Sequence, residues 1–272
     1  MTQHSIASWA SDIIILDRSN QIEPIDPLQA FALDELLCKE AARSKVSICH
    51  IWRHPNAFVL GQRDYRLPYA RQAMNWLAST GFLPIVRNSG GAAVPLDLGV
   101  VNVSLIFPLD MQAANFHQDF DRMAQLISEA LAHTGATVHV GEISGAYCPG
   151  DYDMSINGQK FCGIAQRRQL HAFCVHAFVV AGGRGSDRAS LVRQFYDRAA
   201  IGAPSQSYPD VIEATTASLE ELVGIGPQAF VDAIKSSIKA YSSDRHLTSL
   251  ILPDNEQVIE MAKRLKARYE TS

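Results

Sequence analysis

The chain has 272 residues, 47% of them apolar and 19% charged, with a formal net charge of −4. This is the length of one large domain, or a domain with a small appendage, and a composition that excludes disorder. No basic excess marks a nucleic-acid binder and no Lys/Arg run marks a membrane surface. The amino terminus, Met1-Thr2-Gln3-His4-Ser5, lacks the charged-then-apolar pattern of a leader, and its longest apolar run, Ile13 to Leu16, is too short to span a bilayer, so the expected location is the cytoplasm.

Five cysteines, at 38, 49, 148, 162 and 174, follow no disulfide spacing, and no C-x-x-C pair offers a zinc site. Reduced thiols are expected, most of them buried as small hydrophobes, with no metal and no cofactor.

In chain order, Asp26-Pro27 opens a helix whose apolar positions Leu28, Phe31, Ala32, Leu36 and Leu37 recur at helical spacing as far as about Ser44. Strands are predicted over 46–52 and 57–60, broken by His54-Pro55-Asn56, then a helix over 69–79 closed by Gly81. A short strand over 85–87 feeds a glycine turn, a strand covers 100–107, and an amphipathic helix over 119–133 ends at Gly135. Strands follow over 152–156, 159–166 and 171–180. Ser218-Leu219-Glu220-Glu221 has the capping-box pattern, and helices are predicted over 218–223, 227–241 and 255–269. Mixed strands and helices followed by helices alone read as α+β, with a domain over 1–215 and a helical extension over 216–272 packed on it.

Four segments carry chemistry. Arg87-Asn88-Ser89-Gly90-Gly91-Ala92-Ala93-Val94, followed by Asp97 and Gly99, is either a tight turn or a loop that lets a ligand approach the backbone. It is not a Walker loop, because no Gly-Lys-Ser/Thr follows. Cys148-Pro149-Gly150 precedes a turn on a polar stretch, which predicts an exposed thiol, either inert or reactive. Asn157-Gly158 is a hairpin turn. Its two-residue register pairs Ile156 with Gln159, Ser155 with Lys160 and Asp153 with Cys162, so that Asp153, Ser155, Lys160 and Cys162 share a face opposite Tyr152, Met154, Ile156 and Phe161. That first face is either solvated or turned to a ligand. Cys174 and His176 point the same way on one strand, as a cysteine–histidine couple, part of a metal site, or simply a buried strand.

Together these segments resemble the lipoate–protein ligase and octanoyltransferase superfamily. The resemblance rests on Arg87-x-Ser89-Gly90-Gly91-x-Ala93-Val94-x-x-Asp97-x-Gly99, on Asn102-x-Ser104, on the helix of Ala30 to Glu35, and on Gly158-x-Lys160-x-x-Gly163-x-x-Gln166-x-Arg168. Cys148-Pro149-Gly150-x-Tyr152-Asp153 is similar to the branch that moves octanoyl groups from the glycine cleavage H protein. The resemblance implies the catalytic fold shared by biotin and lipoate ligases, with mixed sheets flanked by helices. It implies Cys148 as the acyl-accepting nucleophile and Lys160 at the acyl carbonyl. An acyl pocket built by Arg87, Ser89, Gly90, Gly91, Ala92, Asp97 and Gly163 is also implied. The implied partners are octanoylated H protein and the lipoyl domains of 2-oxoacid dehydrogenase complexes. Ala92 and Leu96 stand where ligases typically carry a third glycine and a histidine, which argues against ATP-dependent ligation. A ligase, or direct transfer from acyl carrier protein, is the alternative.

Overall fold

The computed structural model describes residues 6–23, 25–109, 116–241 and 250–269. Helix α1 (Ala7–Ala10) leads into strand β1 (Ile13–Arg18), and helix α2 (Leu28–Ser44) follows. The Asp26 carboxylate accepts a hydrogen bond from Leu28 N at 2.9 Å, and Lys45, in the left-handed conformation, closes the helix. Next come β2 (Ser47–Trp52), β3 (Asn56–Leu60), α3 (Gln62–Tyr65), α4 (Ala70–Ser79), β4 (Leu83–Val86), β5 (Val94–Asp97), β6 (Val100–Pro108) and α5 (Phe116–Leu131). The chain continues through β7 (His139–Val140), β8 (Met154–Ile156), β9 (Gln159–Arg168), β10 (Ala172–Val180) and α6 (Gly185–Ala199), then α7 (Leu219–Val223), α8 (Pro227–Lys239) and α9 (Asn255–Tyr269).

The expected α+β order is the order found. Among the described residues the main sheet runs β1-β2-β6-β10-β9-β8-β7, and a smaller sheet runs β4-β3-β5. Strands β6 and β10 are buried along almost their whole length because both of their faces are covered. Alternate residues fall into two cores. Val101, Val103 and Leu105 of β6, with Val175, Ala177 and Val179 of β10, pack with α5 and α8. Val100 and Ile106 of β6, with Ala172, Cys174, Phe178 and Val180 of β10, face α2, the small sheet and α6.

The second of these faces carries polar exceptions. His50 of β2 pairs with Ser104 of β6, which pairs with His176 of β10, so three polar residues form one row across the sheet beneath α2. Such a row at inward-facing positions needs buried partners, and α2 supplies one in Asp34.

Helix α6, strand β1 and strand β5 are additions to the sequence reading. The buried face of α6 is Arg188, Ala189, Val192, Phe195, Tyr196 and Ala199, a helical repeat interrupted by the charge of Arg188. That charge is paired with Asp97, Nη2 to Oδ1 at 2.5 Å. In the carboxyl-terminal segment the capping box forms as expected, with Ser218 Oγ accepting from Glu221 N. Backbone bonds cross residue 215: Ala217 N donates to Lys160 O at 3.0 Å and Glu220 N to Ala181 O at 3.0 Å. Helix α8 packs on α5, and α9 packs on α2.

Candidate active site

A cavity of about 460 Å³ lies between the α2-facing side of the main sheet and the small sheet. Its walls are largely apolar, with Phe31, Trp52, Val94, Leu96, Ile164 and Phe178 among them. That size is within the range of roughly 300–1,000 Å³ usual for small-molecule pockets.

Cys148 stands at one end. The expectation of an exposed thiol is corrected: Cys148 is only 7% exposed. Two features of the fold bury it. Tyr147 beside it is fully buried and stacks on Phe178 with ring centroids 5.8 Å apart, which draws the turn into the core. The Arg87–Ala92 loop then covers the sulfur. Arg87 Nη2 donates to Sγ at 3.4 Å and Ala92 N donates to it at 3.3 Å. Two donors thus converge on the one sulfur.

The backbone there is constrained. Cys148 has φ +48°, a region unfavourable for a residue with a Cβ. Lys160 holds it, since its Nζ donates to the carbonyls of Tyr147 at 2.9 Å and Cys148 at 2.6 Å and pairs with Asp153 Oδ2 at 2.8 Å. These acceptors match the three protons of an ammonium. The direct contact with an acyl carbonyl that the resemblance implies would have to replace one of them. Asp153 Oδ2 also accepts from Gly150 N at 3.2 Å, which ties both ends of the turn to one carboxylate. Burial pushes the Asp153 carboxyl up to about 6, against the opposing pull of Lys160.

The hairpin register is as expected at Ile156/Gln159 and Ser155/Lys160, and then departs. Met154, not Asp153, is the partner of Cys162. A bulge at Phe161 shifts the register, so Cys162 leaves the polar face and joins the core of Met154 and Ile156. Lys160 is 1% exposed, which rules out a solvated lysine.

The Arg87, Ser89, Gly90, Gly91 and Gly163 expected to form the pocket all line the cavity. Gly91 has φ +99°, and a Cβ there would lie 2.2 Å from Arg87 Nη2 and 3.1 Å from Cys148 Sγ. A Cβ on Gly163 would lie 2.5 Å from the Phe178 ring. Ala92 contributes its N–H rather than a wall. Asp97 is elsewhere: its carboxylate is held by Arg188 and by Gly99 N, away from the cavity. Asn88, beside the loop, is fastened to α2 through Glu35, whose Oε1 also accepts from Arg167 Nε.

The other end of the cavity is polar. His176 lies two residues along β10 from Phe178, roughly 7 Å away, and lines the cavity with Ser104 and Asn102. Asp34 accepts from Ser104 Oγ at 2.7 Å and bonds His50 Nδ1 at 2.8 Å, with His176 Nδ1 at 3.3 Å. These contacts hold its carboxyl well below the usual range despite full burial. Cys174 Sγ lies 3.5 Å from His176 Nδ1, on the shared face the strand pattern predicts. Among the described residues, Asp34, Cys174 and His176 bring three possible metal donors within 4.8 Å of one another, but both carboxylate oxygens already serve His50, Ser104 and His176. The signal for this end was present in the sequence as polar residues interrupting apolar strands. No helix among the described residues is long and apolar enough to cross a membrane.

Residues 26–240 match the model of the lipoyl protein ligase A/B catalytic domain. Over 212 residues the chain is 42% identical to the octanoyl-[GcvH]:protein N-octanoyltransferase of Geobacillus kaustophilus, covering 77% of this chain and 75% of that one. It is 36% identical to the protein of that name from Anoxybacillus flavithermus, over 94% of each chain. The Staphylococcus aureus protein of that name is 35% identical over 76% of this chain and 74% of its own. Among solved structures, lipoate-protein ligase A bound with ATP superposes with a TM-score of 0.68 at 16% identity, covering 96% of both chains. A putative lipoate protein ligase from T. acidophilum with bound lipoic acid gives 0.67 at 16% identity, over 96% of this chain and 97% of that one. The chain has the lipoate ligase fold and belongs to the lipoyl protein ligase A/B catalytic-domain family.

Proposed function

We propose that this protein is an octanoyltransferase of lipoate assembly, acting in the cytoplasm through Cys148. It moves an octanoyl group from a lysine of the glycine cleavage H protein to a lysine of the lipoyl domains of 2-oxoacid dehydrogenase subunits. The observation that carries this reading is a thiol at the end of an apolar cavity with Arg87 Nη2 and Ala92 N both donating to its sulfur. The similarity to proteins named octanoyl-[GcvH]:protein N-octanoyltransferase supports the donor and the acyl group.

The reaction has two halves. The Cys148 thiolate attacks the carbonyl carbon of the donor amide, the C–S bond forms, the C–N bond breaks, and the departing lysine amine takes up a proton. The acceptor lysine, as a free amine, then attacks the thioester. A new amide forms, the amine loses its proton, and the thiolate leaves. Neither half changes oxidation state, and neither needs a nucleotide or metal. The eight-carbon chain lies along Phe178, Leu96 and Trp52. Ser89 Oγ, buried, lining the cavity and without a hydrogen-bond partner, is a donor for the acyl carbonyl. Lys160 acts by fixing the turn that aims Sγ. The domain over 1–215 carries this chemistry, and the extension over 216–272 supports it.

Incubation of the protein with octanoylated H protein and an apo lipoyl domain, without ATP, tests the reading by intact mass. The octanoyl mass should leave the donor, appear transiently on the enzyme and reach the acceptor. Modification that requires ATP and free acid would move the protein to the ligases. Transfer only from octanoyl acyl carrier protein would replace the donor.

A further inference from the structure

A second hollow lies on the outer side of the Gly90-Gly91 loop. It has a volume of about 710 Å³ and shares Ser89, Gly90, Gly91 and Pro149 with the acyl cavity, so these residues form a partition between the two. Its far wall is built by α3 and the segment following it, with Arg63 and Arg66, and by Gln206 and Tyr208. Both arginines are exposed. The one carboxylate in this hollow, Asp64, is committed elsewhere: Oδ2 accepts from Gly61 N at 2.8 Å and Oδ1 from Tyr196 Oη at 2.8 Å. The hollow therefore presents two guanidinium groups with no carboxylate of its own set against them among the described residues.

We propose that this hollow is the docking site of the acyl acceptor, and that Arg63 and Arg66 pair with carboxylates flanking the acceptor's lysine. The inference rests on the thioester reading above and adds the surface and charge of the partner. The hollow adjoins Cys148 through Pro149 and the Gly90-Gly91 loop, so an acceptor seated in it brings its lysine to the edge of the acyl cavity. Its walls are set by the fold: a Cβ on Gly61 would lie 2.0 Å from Gly91 O, so α3 and the loop are in direct backbone contact. A lysine carries positive charge in solution, and two arginines would repel it if it came alone. Carboxylates beside that lysine would reverse the sign, since each would meet a positive charge in the hollow. Charges at the rim of an interface act chiefly on the rate of encounter and its salt dependence.

The test is a single-turnover discharge of octanoyl-enzyme by an apo lipoyl domain, comparing wild type with Arg63→Glu/Arg66→Glu and with Arg63→Lys/Arg66→Lys. The double reversal should slow discharge by about 10- to 100-fold at about 10 mM salt, and the gap should narrow at about 150 mM as the screening length falls from about 30 to about 8 Å. The lysine pair should keep most of the rate, and reversing an acceptor carboxylate beside its lysine should restore part of what the double reversal loses. Equal rates for wild type and double reversal at low salt would overturn the proposal. So would ATP binding that depends on the two arginines while discharge does not, since the hollow would then be a nucleotide site. A wild-type enzyme that never acquires the octanoyl mass would bring down the thioester reading itself, an outcome distinct from an acyl-enzyme that forms and discharges without regard to these charges.

Discussion

The turn at 147–153 and the strand β10 each bury a cysteine near the same cavity, and they treat it in opposite ways. Cys174 is 1% exposed, beside His176 and Cys38, with the Asp34 carboxylate close by. Burial first, then the Cys38 contact and the Asp34 charge, push its thiol far up. Cys148 is 7% exposed, hardly more, but its sulfur meets a guanidinium and a backbone N–H. The two sites differ in the sign of their neighbours rather than in depth. Burial alone makes a thiol inert, and the two donors at the Cys148 sulfur are what support the proposal that it is the nucleophile.

The largest effect should come from Cys148→Ala. Transfer should fall at least roughly 1,000-fold, because the proposed acyl-enzyme forms on this sulfur. In wild type the octanoyl adduct should map to Cys148 by peptide mass spectrometry and be released by hydroxylamine. An adduct on Cys174 or Cys162 would break the contrast between the two environments.

Lys160→Ala comes next. Removing the ammonium frees two carbonyls from the strained turn and leaves Asp153 buried without its partner. Turnover should drop roughly 100-fold because the thiol is no longer aimed, and unfolding should cost about 3–5 kcal/mol less. Alkylation of Cys148 by iodoacetamide should slow as well, a readout that a purely structural lysine far from the thiol would not move. Lys160→Arg should restore charge but not geometry. The variant's stability should also depend on pH. A carboxyl raised in the folded state stabilises below its unfolded pKa of about 3.9 and loses that contribution as pH rises through the folded value. Asp153, already pushed to about 6 with Lys160 present, rises further without it. The deficit of the variant should therefore be larger at pH 8 than at pH 5, by chemical denaturation at both.

The smallest effect sharpens the comparison from the other side. Cys162→Ala should leave the transfer rate within about twofold of wild type and cost roughly 1 kcal/mol of stability. Burial pushes the Cys162 thiol far up, and its side chain packs with Met154 and Ile156 rather than toward the cavity. A large rate loss would mean that this thiol takes part.

Much of this was legible in the sequence. The helix opened by Asp26-Pro27, the Asn157-Gly158 hairpin and the Ser218 capping box depend on contacts within a few residues, so their spacing sufficed. The Gly90-Gly91 loop and Cys148 stand out in the sequence as members of one motif set, and the fold brings them together. The depth of Cys148 was not legible, because Pro149-Gly150 reads as a surface turn, whereas the stacking of Tyr147 on Phe178, 31 residues apart by number, carries it inward and the Arg87–Ala92 loop covers it. Helix α6 went unread because Arg188 interrupts its apolar face, and the partner that neutralises it, Asp97, is 91 residues away. Asp97 was expected in the pocket for the same reason: a motif gives neighbours along the chain, and its partner lies across the fold. The cluster of Asp34, His50, Ser104 and His176 needed the strand register, which no single segment contains.

The bulge at Phe161 has a chemical consequence. Had the two-residue register continued, Cys162 would have pointed toward Asp153 and Lys160, on the same side as the turn that holds Cys148. Two thiols within reach of one thioester exchange it freely, and an acyl group that migrates to a sulfur with no outlet to the acceptor is stranded there. One extra residue in β9 turns Cys162 into the core, which under the proposed mechanism leaves the acyl group with a single address.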